Sequence, residues 1–121
     1  GIWVLCDRYM DSAMVYQGYC RGVGMEYVDK IHDLVLNDAL PDLTLYLDVD
    51  PALGLSRVRS RNDGDITRFD VEGLAFHEKV RQGYLELTRM YPKRITQLDS
   101  NVCNDILLKE VIKVVEQRFE V

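Results

Sequence analysis

Ile2-Trp3-Val4-Leu5-Cys6-Asp7-Arg8-Tyr9 is the stretch on which the fold turns. Five apolar residues make a run short enough for a buried strand, and its exit carries an acid, a fixed cation and a phenol. Open α/β sheets bind ligands in the crevice beyond the carboxyl ends of their strands. Residues 2–6 are therefore expected to form a strand that delivers Asp7, Arg8 and Tyr9 to an anion site. A strand buried on both faces needs neighbours on either side and helices above and below. Nothing precedes this one, so the chain is expected to begin in the middle of a fold, as the back portion of something larger.

Working outward, helices and strands alternate. Asp11 or Ser12 is placed to cap a helix over residues 12–17, which Gly18, Gly22 and Gly24 interrupt with a flexible stretch. Met25, Val28, Ile31, Leu34 and Val35 fall at helical spacing and predict a helix over residues 25–37. Leu43 to Val49 is a second short apolar strand, and Asp50-Pro51 then supplies a cap and a proline at the first helical position. That helix, from Pro51 to about Ser60, carries Arg57, Arg59 and Arg61 at its end. Residues 62–68 read as a polar loop. A longer helix follows, with Phe76, Val80, Tyr84 and Leu87 on one face. Ile95 to Leu98 is a third strand, and Asn104 is expected to cap a last helix whose stripe is Leu107, Leu108, Val111, Val114 and Val115. Strands alternating with helices of this length predict βαβ units and a mostly parallel sheet. The 121 residues are expected to form a single α/β domain fragment.

Composition narrows the function classes. With 47% apolar and 29% charged residues the chain is an ordinary globular one, and a net charge of -5 argues against a general nucleic-acid binder. Any anion site must be a local cluster of arginines. No apolar stretch approaches the roughly 20 residues of a membrane helix, and no leader opens the chain, so a cytoplasmic setting without membrane partners is expected. Cys6, Cys20 and Cys103 lack any CxxC pair and are expected as free thiols, with Cys6 in the core. His32 and His77 have no metal-ligand partners at sensible spacing and are expected as packing or surface residues.

Asp7-Arg8-Tyr9, with Ser12 and then Tyr16-Gln17-Gly18, resembles the signature of the thymidylate kinases. The likeness continues through Pro41 to Val49, a core strand of that family, and through Gly54 to Arg61, the run into its lid. Arg68-Phe69-Asp70 resembles the lid's exit, and Gln97-Leu98-Asp99 the final strand. The resemblance implies the three-layer parallel-sheet fold of the P-loop nucleoside monophosphate kinases, here as a C-terminal portion lacking the N-terminal P-loop strand. No GxxxxGK[ST] occurs in the sequence. In the family that strand lies between those represented by residues 2–6 and 43–49, so the two are expected to flank a gap.

The resemblance implies phosphorylation of dTMP by ATP with Mg2+, in a homodimer, with a lid at residues 57–69. A P-loop normally cradles the donor phosphates, so this portion alone is expected to be inactive. Arg8 corresponds to the arginine that holds the acceptor phosphate, as a guanidinium fork can; an ion pair with Asp7 or Asp11 is the plainer alternative. Asp7 is placed for magnesium or its water shell, or to orient Arg8. Tyr9, Ser12, Tyr16 and Gln17 match positions near the nucleoside, although Ser12 equally suits a cap and Tyr9 and Tyr16 packing. Ala13 stands where members often have a small polar residue facing thymine, which leaves base selection to other contacts. Arg57 corresponds to the arginine packing on adenine, and Arg61 to the lid arginine that stabilises the transferring group, the bacterial arrangement. A solvated helix end is the alternative for both. Arg68 is a second lid contact or is held by Asp65 and Asp70, and Thr67 stands where many members have an acid. Asp-Arg after a strand and an arginine-rich lid also occur in kinases of other nucleosides and nucleotides. Outside the enzymes, the missing P-loop favours a noncatalytic nucleotide-binding or oligomerisation fragment.

Overall fold

The computed structural model describes residues 1–61 and 68–121, with the side chains of residues 68–72 outside the description. The chain divides into two compact units, Gly1–Leu40 and Pro41–Val121.

In the first unit the expected strand over residues 2–6 is not formed. Residues 1–6 are irregular, and Ile2 and Leu5 are exposed at 93% and 99%. A parallel strand finds its hydrogen bonds only on neighbouring strands, and both strands among the described residues belong to the other unit. Cys6, expected in the core, is exposed for the same reason. Helix α1 (Met10–Ala13) runs directly into a π-helical segment, Met14–Cys20. The helix thus starts before Asp11 and Ser12, with Tyr9 at its N-cap position and no side-chain cap bond, so neither expected cap forms. Asp11 is buried inside the first turn instead.

Gly18 does not break this helix. A Cβ there would meet Met25 Cα at 3.0 Å and Met25 N at 3.2 Å, so the bare glycine lets α2 (Met25–Val35) start against the π-helical turn. Gly22 and Gly24, at φ +77° and +98°, make the reversal between them. Met10, Met14, Val15, Cys20 and Val28 form this unit's core.

The second unit holds a parallel pair, β1 (Thr44–Asp48) and β2 (Ile95–Asp99), in register from Thr44↔Ile95 to Asp48↔Asp99. Parallel neighbours need a long crossover, which α3 (Pro51–Arg61) and α4 (Arg68–Met90) provide. Helix α5 (Asn104–Phe119) follows β2. Val80, Leu87, Ile95 and Leu98 are buried, which bears out the inward face expected of α4, while Phe76 lies at its exposed margin. Asp50 accepts from the N–H groups of Ala52 and Leu53 at 3.0 and 3.2 Å, the expected cap of α3. Asn104 is not a cap: it is the first residue of α5, and Cys103 occupies the N-cap position without a side-chain bond. Of the polar loop expected over residues 62–68, residues 62–67, with Gly64, Asp65 and Thr67, lie outside the described residues, and Arg68 is already helical as the first residue of α4.

Candidate functional site

In the first unit the chain turns at Arg8 with φ +63°, a left-handed conformation uncommon for a side chain of this size. Such backbone outliers concentrate where a group must be aimed. Arg8 Nε donates to Ser12 Oγ at 3.2 Å, and its guanidinium carbon stands 4.6 Å from the centre of the Tyr16 ring. The N–H of Ser12 in turn donates to the Tyr9 carbonyl at 3.1 Å.

This brings together three residues singled out from the sequence, Arg8, Ser12 and Tyr16. Tyr16 lies in the π-helical segment, where the Arg21 N–H bonds to its carbonyl at 3.2 Å, five residues back. One nitrogen of Arg8 is occupied by Ser12 and its face by Tyr16, which holds the plane of the fork. Tyr9 is directed differently, its hydroxyl donating to the Ala39 carbonyl at 3.2 Å. Gln17 and Asp7 are exposed.

No group of three or more His, Cys, Asp or Glu side chains among the described residues is arranged to hold a metal ion. Asp7, next to Arg8 in sequence, is exposed and so open to a hydrated hard cation, which takes one or two carboxylates.

In the second unit a network that the sequence did not disclose surrounds Asp48, at the carboxyl end of β1. Arg81 of α4 grips both carboxylate oxygens, Nε to Oδ1 at 2.8 Å and Nη2 to Oδ2 at 2.9 Å. Tyr46 Oη donates to Oδ1 at 2.8 Å and Gln97 Nε2 to Oδ2 at 3.0 Å. Arg81, followed by the other hydrogen bonds, holds the Asp48 carboxyl below the usual carboxylate range against the opposing effect of burial. Burial first, and the bond to Asp48 second, push the Tyr46 phenol up. The Tyr46 ring stacks on Tyr84 with centroids 4.8 Å apart. A cleft of about 300 Å³ opens beside this stack, lined by Leu55, Val58, His77 and Val80 as well. The available signal was weak: an acid closing an apolar run, two residues after Tyr46 and so on the same strand face.

Arg57 is half-buried, and its Nη1 donates to the Ser100 carbonyl at 2.8 Å, which ties the end of α3 to the loop after β2. Arg61 is exposed on the last turn of α3, one helical turn beyond Arg57. Arg68 opens α4, and its side chain lies outside the described residues.

The family model described as Thymidylate kinase matches residues 1–111. The thymidylate kinase of Clostridium novyi is 44% identical over 108 residues, covering 89% of this chain and 53% of that protein. The Geobacillus thermodenitrificans thymidylate kinase is 41% identical over 117 residues, covering 97% and 52%. Among solved structures, the crystal structure of thymidylate kinase from Ehrlichia chaffeensis superposes with a TM-score of 0.62 at 30% identity, covering 91% of this chain and 46% of that one. The chain spans about half the length of the curated relatives it matches. The parallel α/β arrangement agrees with part of the fold expected from the sequence.

Proposed function

Because the chain belongs to the thymidylate kinase family, we propose that it forms the acceptor-site and donor-arginine portion of an enzyme that phosphorylates dTMP to dTDP with ATP. The observation that carries this reading is the Arg8–Ser12–Tyr16 cluster. A guanidinium with one edge and one face already held presents its remaining N–H groups in a fixed plane, which suits the two oxygens of a nucleoside monophosphate.

In the proposed reaction an oxygen of the dTMP phosphate attacks the γ-phosphorus of ATP. The new P–O bond forms as the β,γ-bridging bond breaks, and ADP departs with the released charge. Such transfers depend on positioning and on offsetting charge more than on covalent help from the protein. Arg8 orients the acceptor phosphate. Tyr9, Ser12, Tyr16 and Gln17 are assigned to the nucleoside, and Arg57, Arg61 and Arg68 to the donor, with Arg61 offsetting charge on the transferring group. Asp7 would hold, directly or through water, a magnesium ion bound with ATP, which would supply charge neutralisation at the donor phosphates. The aliphatic methyl of Ala13 leaves thymine recognition to these other groups.

A cytoplasmic homodimer completes the proposal. Tyr27, Ile31 and Leu34 leave an apolar stripe exposed at 66%, 54% and 82% on α2, as a dimer helix would. No helix of the described residues is long and apolar enough to cross a membrane.

The test is ATP-dependent conversion of dTMP by the full-length protein, with dUMP, dCMP and dAMP as competitors. dTDP formation with dTMP preferred supports the reading. Turnover confined to another monophosphate would replace the acceptor, and binding without turnover would leave a nucleotide-binding role.

A further inference from the structure

The turn Asp48-Val49-Asp50 joins α3, α4 and the loop after β2 at the carboxyl end of the sheet in the second unit. The Asp48 side chain takes Arg81 of α4, and the Asp48 carbonyl accepts from Ser100 N–H at 2.7 Å. Two residues on, Asp50 N–H donates to Asn101 Oδ1 at 3.0 Å, while its carboxylate caps α3 and lies 4.0 Å from Arg81 Nη1. Asn101 is itself held, its backbone N–H and Nδ2 both donating to Asp99 Oδ1, at 2.8 and 2.7 Å. The Ser100 carbonyl then receives Arg57. These contacts form an unbroken chain from Arg81 through Asp48 and Ser100 to Arg57.

We infer that Arg81 is a positioning residue for Arg57, and so for the donor-nucleotide side of the site. The inference rests on the kinase reading only in assigning Arg57 to the donor. The physical reason is geometric. Arg81 binds through two atoms of a rigid fork, so it fixes the rotation of the Asp48 carboxylate and the approach of α4 to the strand end. Arg57 lies about 10 Å along α3 from its Asp50 cap, so a small change of tilt at the cap is enlarged at the guanidinium. The Ser100 carbonyl that receives Arg57 is placed by the same turn.

Steady-state kinetics on the full-length protein test this. Arg81→Lys keeps the charge but not the two-point grip. It is expected to raise KM for ATP about 5-fold or more while KM for dTMP changes less than about 2-fold. Asn101→Ala, at an exposed loop position, is expected to shift the same parameter without endangering the fold. In an Arg57→Ala background the added effect of Arg81→Lys on KM for ATP should largely vanish, because residues acting through one another are not additive. Additive effects, equal shifts of both KM values, or no shift would overturn the inference. A second readout does not depend on activity. The Arg57 guanidinium NMR resonances should move toward solvent-averaged values in Arg81→Lys, and unchanged resonances would overturn the inference. A wild type without ATP-dependent dTMP turnover refutes the kinase reading alone, and the resonances still decide the positioning.

Discussion

Arg81 and Asp48 meet through two parallel hydrogen bonds, 2.8 and 2.9 Å long, which join the middle of α4 to the carboxyl end of β1. The two side chains are unequally exposed, at 32% for Arg81 and 8% for Asp48. The arginine keeps part of its hydration, whereas the carboxylate depends on its protein partners. A pair of this kind adds little or no net stability over a well-packed apolar replacement, but losing one member leaves the other uncompensated.

Arg81→Met is accordingly expected to lower unfolding free energy by about 2–3 kcal/mol, below the full buried-pair cost because Tyr46 and Gln97 still serve the carboxylate. Denaturant unfolding of the full-length protein measures this. Asp48→Asn, which removes the charge needing compensation, should cost less than Arg81→Met.

The same network sets a pH dependence at both ends. The Asp48 carboxyl is lowered in the folded protein, chiefly by Arg81. Its contribution is therefore present above the unfolded carboxyl pKa of about 4 and lost as pH falls through the depressed folded value. The Tyr46 phenol is raised, chiefly by burial. Its contribution is present below the unfolded phenol pKa of about 10 and lost as pH rises through the folded value. Unfolding titrations should show Asp48→Asn flattening the acid limb and Tyr46→Phe flattening the alkaline limb, each also reducing the other limb in part because the Tyr46–Asp48 bond contributes to both shifts.

At Arg8 the prediction concerns ligand rather than fold. Arg8→Lys preserves charge but gives up the planar fork and its stacking on Tyr16. The expected loss in kcat/KM for dTMP is about 100-fold or more, with melting temperature nearly unchanged. Ser12→Ala removes the hydroxyl that receives Nε and should cost less, about 10-fold.

Gly18 tests the close approach of two helical segments. Gly18→Ala places a methyl 3.0 Å from the Met25 Cα, a backbone atom that cannot swing away, and is expected to destabilise by about 1–3 kcal/mol. Gly24→Ala faces no comparable clash but must adopt φ +98°, so a loss of about 1 kcal/mol or more is expected from backbone strain. Thermal unfolding of the two variants separates packing from conformation.

Much of the local architecture was legible because it depends on neighbours in sequence. Asp50-Pro51 specified the start of α3, since a cap needs only its own following N–H groups. The α4 face of Val80 and Leu87 followed from helical period. Residues 2–6 have the composition of a buried strand, but pairing requires a neighbour, and none among the described residues of that unit is a strand. Asn104 was misassigned because a polar residue that opens a helix and one that caps it have the same composition, and only backbone angles separate them.

The sequence by itself determined the β1–α3–α4–β2–α5 order of the second unit, the inward face of α4 at Val80 and Leu87, and the candidates Arg8, Ser12 and Tyr16, because periodicity, caps and motifs act over a few residues. The stripe expected on α2 is instead largely exposed, and that on α5 is at most half-buried. Only the tertiary structure decided that Arg8 stacks on Tyr16 while bound to Ser12, and that Asp48 gathers Tyr46, Arg81 and Gln97 from two strands and a helix. Asp48 and Arg81 are 33 positions apart. A contact at that separation depends on how α4 returns to the sheet, and the residue types alone do not carry it.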